Sequence, residues 1–236
     1  MTEELFREDA YMKTCDAQVL QVVAEGVVLN RTVFYPEGGG QPGDIGELIK
    51  LDGSIVPILN TIKTPNGILH ITNSDLSKHF VGEKIQIAID WERRLKHMKM
   101  HTALHILCSQ VEGAVTGGSV GVQKSRLDFD MPGEKPDKEE LEEKMMNIIK
   151  SDYPLSFSWI SESELEMKPE LVRTMSVKPP KGSGKIRMIR IGENIDFQPC
   201  GGTHVKSTGE IGVIKIGKIE NKGRQNRRIN LTIEGG

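Results

Sequence analysis

His101 and His105 stand four residues apart in His101-Thr-Ala-Leu-His105. On a helix both imidazoles project from one face, about one turn from each other, and that spacing suits two ligands of one metal ion. Far along the chain, Pro199-Cys200-Gly201-Gly202-Thr203-His204 sets a thiol and an imidazole around two glycines, which let the backbone bend until both point at one centre. Three nitrogens and one sulfur suit tetrahedral zinc, one ion per chain. Either half alone is weak, because an HxxxH spacing recurs on helices that bind nothing. Their coexistence in a chain with six histidines and three cysteines carries the argument. His97, His101, His105 and Cys108 share one helical stripe, and His97 with His101 repeats the same spacing, so spacing does not choose between the two pairs. Four protein ligands would close a structural site, whereas catalysis needs an open or weakly held position. The glycine pair beside Cys200 points toward close approach of a ligand.

Two other segments invite a chemical reading. Lys181-Gly-Ser-Gly-Lys185 has the look of a phosphate loop but fails as one, since Pro179 stands at the first glycine position and Ile186 replaces Ser/Thr. It reads as a surface loop over Lys178–Lys185. The run Lys215, Lys218, Lys222, Arg224, Arg227, Arg228 concentrates positive charge where a phosphate backbone could dock.

The elements that must position these residues are set by periodicity. Before residue 90, short apolar runs (17–23, 26–29, 46–51, 55–59, 68–71, 84–89) punctuated by Gly, Pro and Asn predict strands of a small barrel or sandwich. The loop from Phe34 to Asp44, with Gly38, Gly39 and Gly40, is too glycine-rich to be a strand. Asp90 caps a helix from Trp91 to about Val111 that carries the histidine pair. Residues 113–121 read as a flexible loop and 123–130 as a strand. Asp137 with Glu140 opens a helix to about Ser151, and 155–160 alternates as a strand. Ser161 with Glu164 offers a capping box, and further strands are expected over 186–191, 195–198, 211–219 and 228–233, with a turn at Asn221-Lys222-Gly223.

Composition narrows the class. The 236 residues carry 31 Lys+Arg against 33 Asp+Glu, a net charge of -2, which excludes a globally basic nucleic-acid coat while leaving a local patch open. Cys15, Cys108 and Cys200 are odd in number and widely spaced, which suits no disulfide framework. The acidic N-terminal stretch lacks the basic patch of a signal peptide, and no run approaches the roughly 20 apolar residues of a membrane span. The expectation is a soluble, cytoplasmic protein.

Three segments in order, His101-Thr-Ala-Leu-His105, Val122-Gln-Lys-Ser-Arg-Leu-Asp-Phe-Asp130 and Cys200-Gly-Gly-Thr-His204-Val with Thr208-Gly-Glu-Ile-Gly212, resemble the editing domain of alanyl-tRNA synthetase. Without the synthetase's activation domain, the chain is similar to the freestanding alanyl-tRNA editing proteins of the AlaX family, and the glycine loop over 38–44 resembles that of the medium-length members. The resemblance implies an α+β fold, with a small N-terminal β-barrel (residues 1–89) followed by an α/β two-layer editing domain (90–236). It implies hydrolysis in trans of tRNA(Ala) mischarged chiefly with serine, with glycine as the second candidate. The family's metal ligands fall on His101, His105, Cys200 and His204, which sets aside His97 and Cys108. Its active-site glutamine falls on Gln123, with Thr102 near the pocket. Contact with tRNA would rest on Gly38, Gly39, Gly40 and on Arg224, Arg227 and Arg228. Two rivals remain: a non-catalytic RNA-binding protein with structural zinc, and an unrelated zinc hydrolase. Against a protease of the HExxH type, Thr102 stands where that motif has its glutamate base.

Overall fold

A computed structural model describes residues 2–76, 81–174 and 184–234. The chain is mixed, mostly strand with fewer helical residues, and divides into two compact units, Met1–Leu95 and Lys96–Gly236. The boundary falls inside the long helix α1 (Trp91–Gln110). Among the described residues no helix is long and apolar enough to cross a membrane.

In the first unit the short apolar runs become strands: β1 (Glu3–Glu4), β2 (Thr14–Val23), β3 (Gly26–Leu29), β4 (Arg31–Thr32), β5 (Gly46–Lys50), β6 (Ile55–Ile58), β7 (Asn60–Thr64), β8 (Gly67–Ile71) and β9 (Lys84–Ile89). Seven form one antiparallel sheet in the order β6-β5-β9-β2-β3-β8-β7, while β1 pairs with β4 in parallel. The first half of β2 pairs with β9 and the second with β3, with a register shift between Val19 and Gln21 that bends the strand. Val19, Leu29, Phe34, Leu48 and Ile87, all fully buried, fill the core inside that bend. The sequence did not predict β7, whose polar Asn-Thr-Ile-Lys-Thr takes its strand geometry from pairing with β8. No closed barrel is found among the described residues, because β6 and β7 remain the two ends of the order. Those ends are nevertheless separated in the chain by Leu59 alone, whose N–H donates to Ile71 O at 2.8 Å. A flat sheet seven strands wide, about 29 Å at the usual spacing, does not permit that step, so the sheet curves strongly.

The glycine loop is built on this sheet. Gly38 and Gln41 exchange backbone hydrogen bonds (3.1 and 2.9 Å) around Gly39 and Gly40, whose φ values of +57° and +82° make the two-residue turn that glycine accepts without strain. At the loop's end Asp44 is buried; its carboxylate accepts from Tyr35 N (2.6 Å) and from Arg94 Nε (3.1 and 2.9 Å). Arg94, in the first turns of α1, has no exposed surface and directs its remaining donors to Ala10 O (2.9 Å) and Val33 O (2.6 Å).

The second unit holds the rest of α1 and the elements β10 (Ala114–Ser119), β11 (Lys124–Asp130), α2 (Lys138–Lys150), β12 (Leu155–Ser161), α3 (Glu162–Glu166), β13 (Lys185–Ile191), β14 (Asp196–Pro199), β15 (Ile214–Ile216), β16 (Glu220–Asn221) and β17 (Asn226–Ile233). Strands β10-β11-β17-β15, with β16 also on β17, form one antiparallel sheet, and β12-β13-β14 form another. Asp137 caps α2 by accepting from Glu140 N (2.9 Å), and Ser161 with Glu164 closes the capping box of α3. Two expectations are corrected. The stretch read as a flexible loop over 113–121 contains β10, because pairing with β11 orders even its glycines. The strand expected over 211–219 shrinks to β15, because Thr208–Ile211 winds into a 3-10 turn capped by Ser207 and Glu210. The surface loop expected over Lys178–Lys185 lies, up to residue 183, outside the described residues.

Candidate metal centre

Every residue of α1 from Met100 to Cys108 is buried, and the helix carries His101 and His105 on one face with ring centroids 5.2 Å apart. Strand β14 delivers the other half: it ends at Pro199, and Cys200-Gly-Gly-Thr-His204 turns back so that the His204 ring lies 4.4 Å from that of His101 and 4.7 Å from that of His105. Cys200 Sγ is 3.6 Å from His101 Nε2 and 3.3 Å from His204 Nε2. One donor atom from each of the four residues lies within 4.8 Å of all the others. Four soft or borderline donors converging in a mostly buried spot fit a tetrahedral metal ion far better than they fit one another.

The surrounding hydrogen bonds set which nitrogen each ring presents. Asp196 Oδ2 accepts from His105 Nδ1–H at 2.8 Å, and Gln198 Nε2 donates to both Asp196 oxygens (3.1 and 2.9 Å), so His105 Nε2 is left with a free lone pair. Thr102 Oγ1 donates to Met98 O (2.9 Å), and its lone pairs accept from Val205 N (3.3 Å) and from His204 Nδ1–H (3.2 Å), leaving His204 Nε2 for the cluster. Arg187 Nη1 donates to Cys200 O (3.3 Å) and Gly202 O (3.0 Å), bracing the turn from behind.

The electrostatics favour the ligand-competent form at Cys200 and His204, while at His105 a metal ion would have to displace a proton. Burial alone would push the Cys200 thiol up, but the three imidazoles around it hold its pKa well below the ordinary thiol value. Burial and the neighbouring His101 charge press the His204 pKa down to about 3, so that ring is neutral. For His105 burial works downward too, yet the Cys200 charge and the Asp196 hydrogen bond raise it well above the usual imidazole value.

Sequence reasoning placed the four cluster residues, and the structure brings them together. His97 and Cys108 are buried on the same helix but outside the cluster. Thr102 is fully buried, and its hydroxyl is committed to Met98, Val205 and His204. Gln123 is exposed in the turn between β10 and β11 and makes no hydrogen bond with the four residues; the glutamine beside them is Gln198, which donates to the Asp196 carboxylate that accepts from His105. Asp196, Gln198 and Arg187 were missed. The period-2 run Asp196-x-Gln198-x-Cys200 was the available signal, since alternate residues of a strand share a face.

The expected RNA contacts divide. Gly39 and Gly40 are exposed, with nothing within 4 Å of a Cβ built on Gly39. Arg224 is exposed. Arg228, however, is paired with Asp128 through Nε–Oδ1 (2.7 Å) and Nη2–Oδ2 (2.9 Å), and that hydrogen-bonded partner holds the Asp128 carboxyl below its usual range. Arg227 Nη1 leans on the carbonyls of Gly223, Arg224 and Asn226 at 3.3–3.5 Å. Two of the three arginines are therefore engaged within their own sheet.

Residues 186–230, which contain the Cys200–His204 turn, match the model of the threonyl and alanyl tRNA synthetase second additional domain, and residues 6–93 match that of class II (A) tRNA synthetases. The chain is 38% identical over 244 residues to the alanyl-tRNA editing protein AlaX-M of Methanosarcina acetivorans, with 99% of each chain covered. It is 35% identical over 241 residues to the AlaX-M of Saccharolobus solfataricus, covering 99% of this chain and all of that one. The alanine–tRNA ligase of Pyrobaculum aerophilum is 35% identical over 232 residues, which are 93% of this chain and 25% of the ligase.

Proposed function

The chain belongs to the family of AlaX-M alanyl-tRNA editing proteins, and from that premise we propose that it removes the wrong amino acid, chiefly serine and also glycine, from mischarged tRNA(Ala) in trans in the cytoplasm. The observation that carries the reading is the convergence of His101, His105, Cys200 and His204 in a chain that its AlaX-M relatives match end to end. In this reading the curved N-terminal sheet is a small barrel (residues 1–89), and residues 90–236 are an α/β two-layer editing domain.

The donor set of three imidazole nitrogens and one thiolate suits zinc, one ion per chain, held by His101, His105, Cys200 and His204. A zinc ion there would supply Lewis acidity toward the ester or its attacking water and a fixed point for the aminoacyl group. Asp196 and Thr102 hold two of the rings in the required tautomers, and Arg187 holds the turn that carries Cys200. The aminoacyl ester is already activated relative to an amide, so positioning carries much of the remaining work. Selectivity against alanine then requires buried polar groups that only the serine hydroxyl satisfies, a device that can discriminate by about 10⁴-fold. With its hydroxyl committed elsewhere, Thr102 is assigned a positioning role rather than that contact.

Four protein donors would equally close a purely structural site, which favours a second reading as a non-catalytic RNA-binding protein. Single-turnover deacylation of seryl-tRNA(Ala) and alanyl-tRNA(Ala) by the zinc-loaded protein separates the two. Rapid loss of serine with alanine retained supports editing; comparable rates on both, or none on either, would sink it. In parallel, Cys200→Ala and His204→Ala should lower zinc content while His97→Ala should not.

A further inference from the structure

The sheet β12-β13-β14 carries a feature that the metal centre does not use. Its register sets Phe157, Ile189 and Gln198 in one row across the three strands and Trp159 opposite Arg187 in the next. Directly opposed side chains share a face, so Phe157 and Trp159 stand on the same face as Asp196, which holds His105, and Gln198, which donates to Asp196. At the usual strand spacing Phe157 is about 10 Å from Gln198 along its row. Both aromatics lie on the edge strand and are 40% exposed. Beneath them the Arg187 guanidinium sits 4.9 Å from the Phe157 ring centroid while its Nη1 donates to Cys200 O and Gly202 O, so one cation lies between the aromatic and the turn that carries a metal ligand.

We propose that Phe157 and Trp159 form a stacking platform for the unpaired nucleobases that precede the aminoacylated terminal nucleotide of the substrate. The proposal rests on the deacylase reading, because it is the aminoacyl ester at the cluster that sets where those bases lie. Aromatic side chains left exposed on an edge strand bury little, whereas a ring with one open face accepts any base by stacking. The charge of the face does not oppose a phosphate backbone: Lys185 is exposed on it, Arg187 is buried beneath the rings, and its one acid among the described residues, Asp196, is buried and committed to His105 and Gln198. Phe157 and Trp159 are two residues apart, about 7 Å along the strand, which seats one base on each ring.

The protein has two tryptophans, so Trp91→Phe leaves Trp159 as the sole reporter. Titration of that full-length protein with a short single-stranded oligoribonucleotide ending in CCA should quench Trp159 fluorescence saturably. In the unmarked protein, Phe157→Ala and Trp159→Ala should each weaken binding of the same oligonucleotide about tenfold, while Trp159→Phe recovers most of it. With seryl-tRNA(Ala) the alanine variants should raise KM about tenfold more than they alter kcat. Absence of quenching, variant affinities within twofold of the parent, or an equal defect on seryl-adenosine, which lacks the preceding nucleotides, would overturn the platform. So would Trp159→Ala changing self-association while RNA affinity holds, since the face would then belong to a protein partner. Quenching by the oligonucleotide without hydrolysis of seryl-tRNA(Ala) would instead remove the deacylase reading and keep the platform.

Discussion

Asp196→Asn tests the metal centre through a residue outside the four-ligand set. The carboxylate accepts His105 Nδ1–H at 2.8 Å and Gln198 Nε2 at 3.1 and 2.9 Å, so both of these neighbours are donors to it. Asparagine keeps the shape but replaces one acceptor by an NH2 group, and either orientation of the amide sets donor against donor. If its oxygen stays on His105, its nitrogen meets Gln198; if it flips, His105 loses the partner that fixes its tautomer. The first case costs the charge on a hydrogen bond and the second the bond itself, about 1.5–3 kcal/mol for a charge-assisted pair. Expressed in metal binding, that is a weakening of about 10- to 100-fold, the range found when partners of a ligating histidine are altered. The assay is competition for zinc against a chromophoric chelator, with thermal unfolding of the metal-loaded protein as a control for folding. Deacylation of seryl-tRNA(Ala) by the variant should fall at limiting free zinc and recover as zinc is raised. A zinc affinity within twofold of wild type would refute the reasoning, because it would mean that the His105–Asp196 bond does not orient a ligand.

Three further outcomes are expected. Thr102→Val keeps the shape but leaves His204 Nδ1–H and Val205 N without their acceptor, so stability by denaturant unfolding should drop about 1–3 kcal/mol and zinc affinity should fall, while the ratio of serine to alanine deacylation rates holds; a collapse of that ratio would return Thr102 to the pocket. Arg224→Glu should weaken tRNA binding and flatten its salt dependence without altering stability, whereas Arg228→Ala should lower stability by breaking the pair with Asp128, both measurable by filter binding and urea unfolding. His70 is buried and neutral, its pKa pushed by burial from 6.5 down to about 4, so below pH 6.5 the unfolded chain binds a proton that the folded one refuses. Stability should therefore fall as pH drops through that window, by about 2 kcal/mol at pH 5, and His70→Gln should show a correspondingly smaller loss between pH 7 and 5.

The cluster was legible because each of its halves is local: one helical turn spaces His101 and His105, and two glycines let Cys200 and His204 face one point. The choice of His105 over His97 was not legible from spacing, since all of that stripe is buried and the decision lies in where β14 delivers Cys200. The partners of Thr102 were not legible, because adjacency to His101 in sequence is a rotation of about 100° on a helix. That rotation aims its hydroxyl at His204 and at the carbonyl of Met98. The basic run was counted as open potential, but charge counts do not reveal cross-strand register, and it is the opposition of Asp128 and Arg228 on β11 and β17 that neutralises one cation. β7 and β10 escaped notice for a related reason, as their strand geometry comes from partners rather than from their own apolar rhythm.

The Arg94–Asp44 pair limits how the chain can be divided. A cut after residue 89, where the strand pattern stops, would leave the Asp44 carboxylate walled in with its counter-charge on the other piece, and stripping one partner from such a pair costs about 3–5 kcal/mol. Val33 O and Ala10 O would lose their donor in the same stroke. The glycine turn is thus not a transplantable loop on a self-sufficient sheet: its separable unit includes the opening turns of a helix that sequence pattern assigns to the second domain.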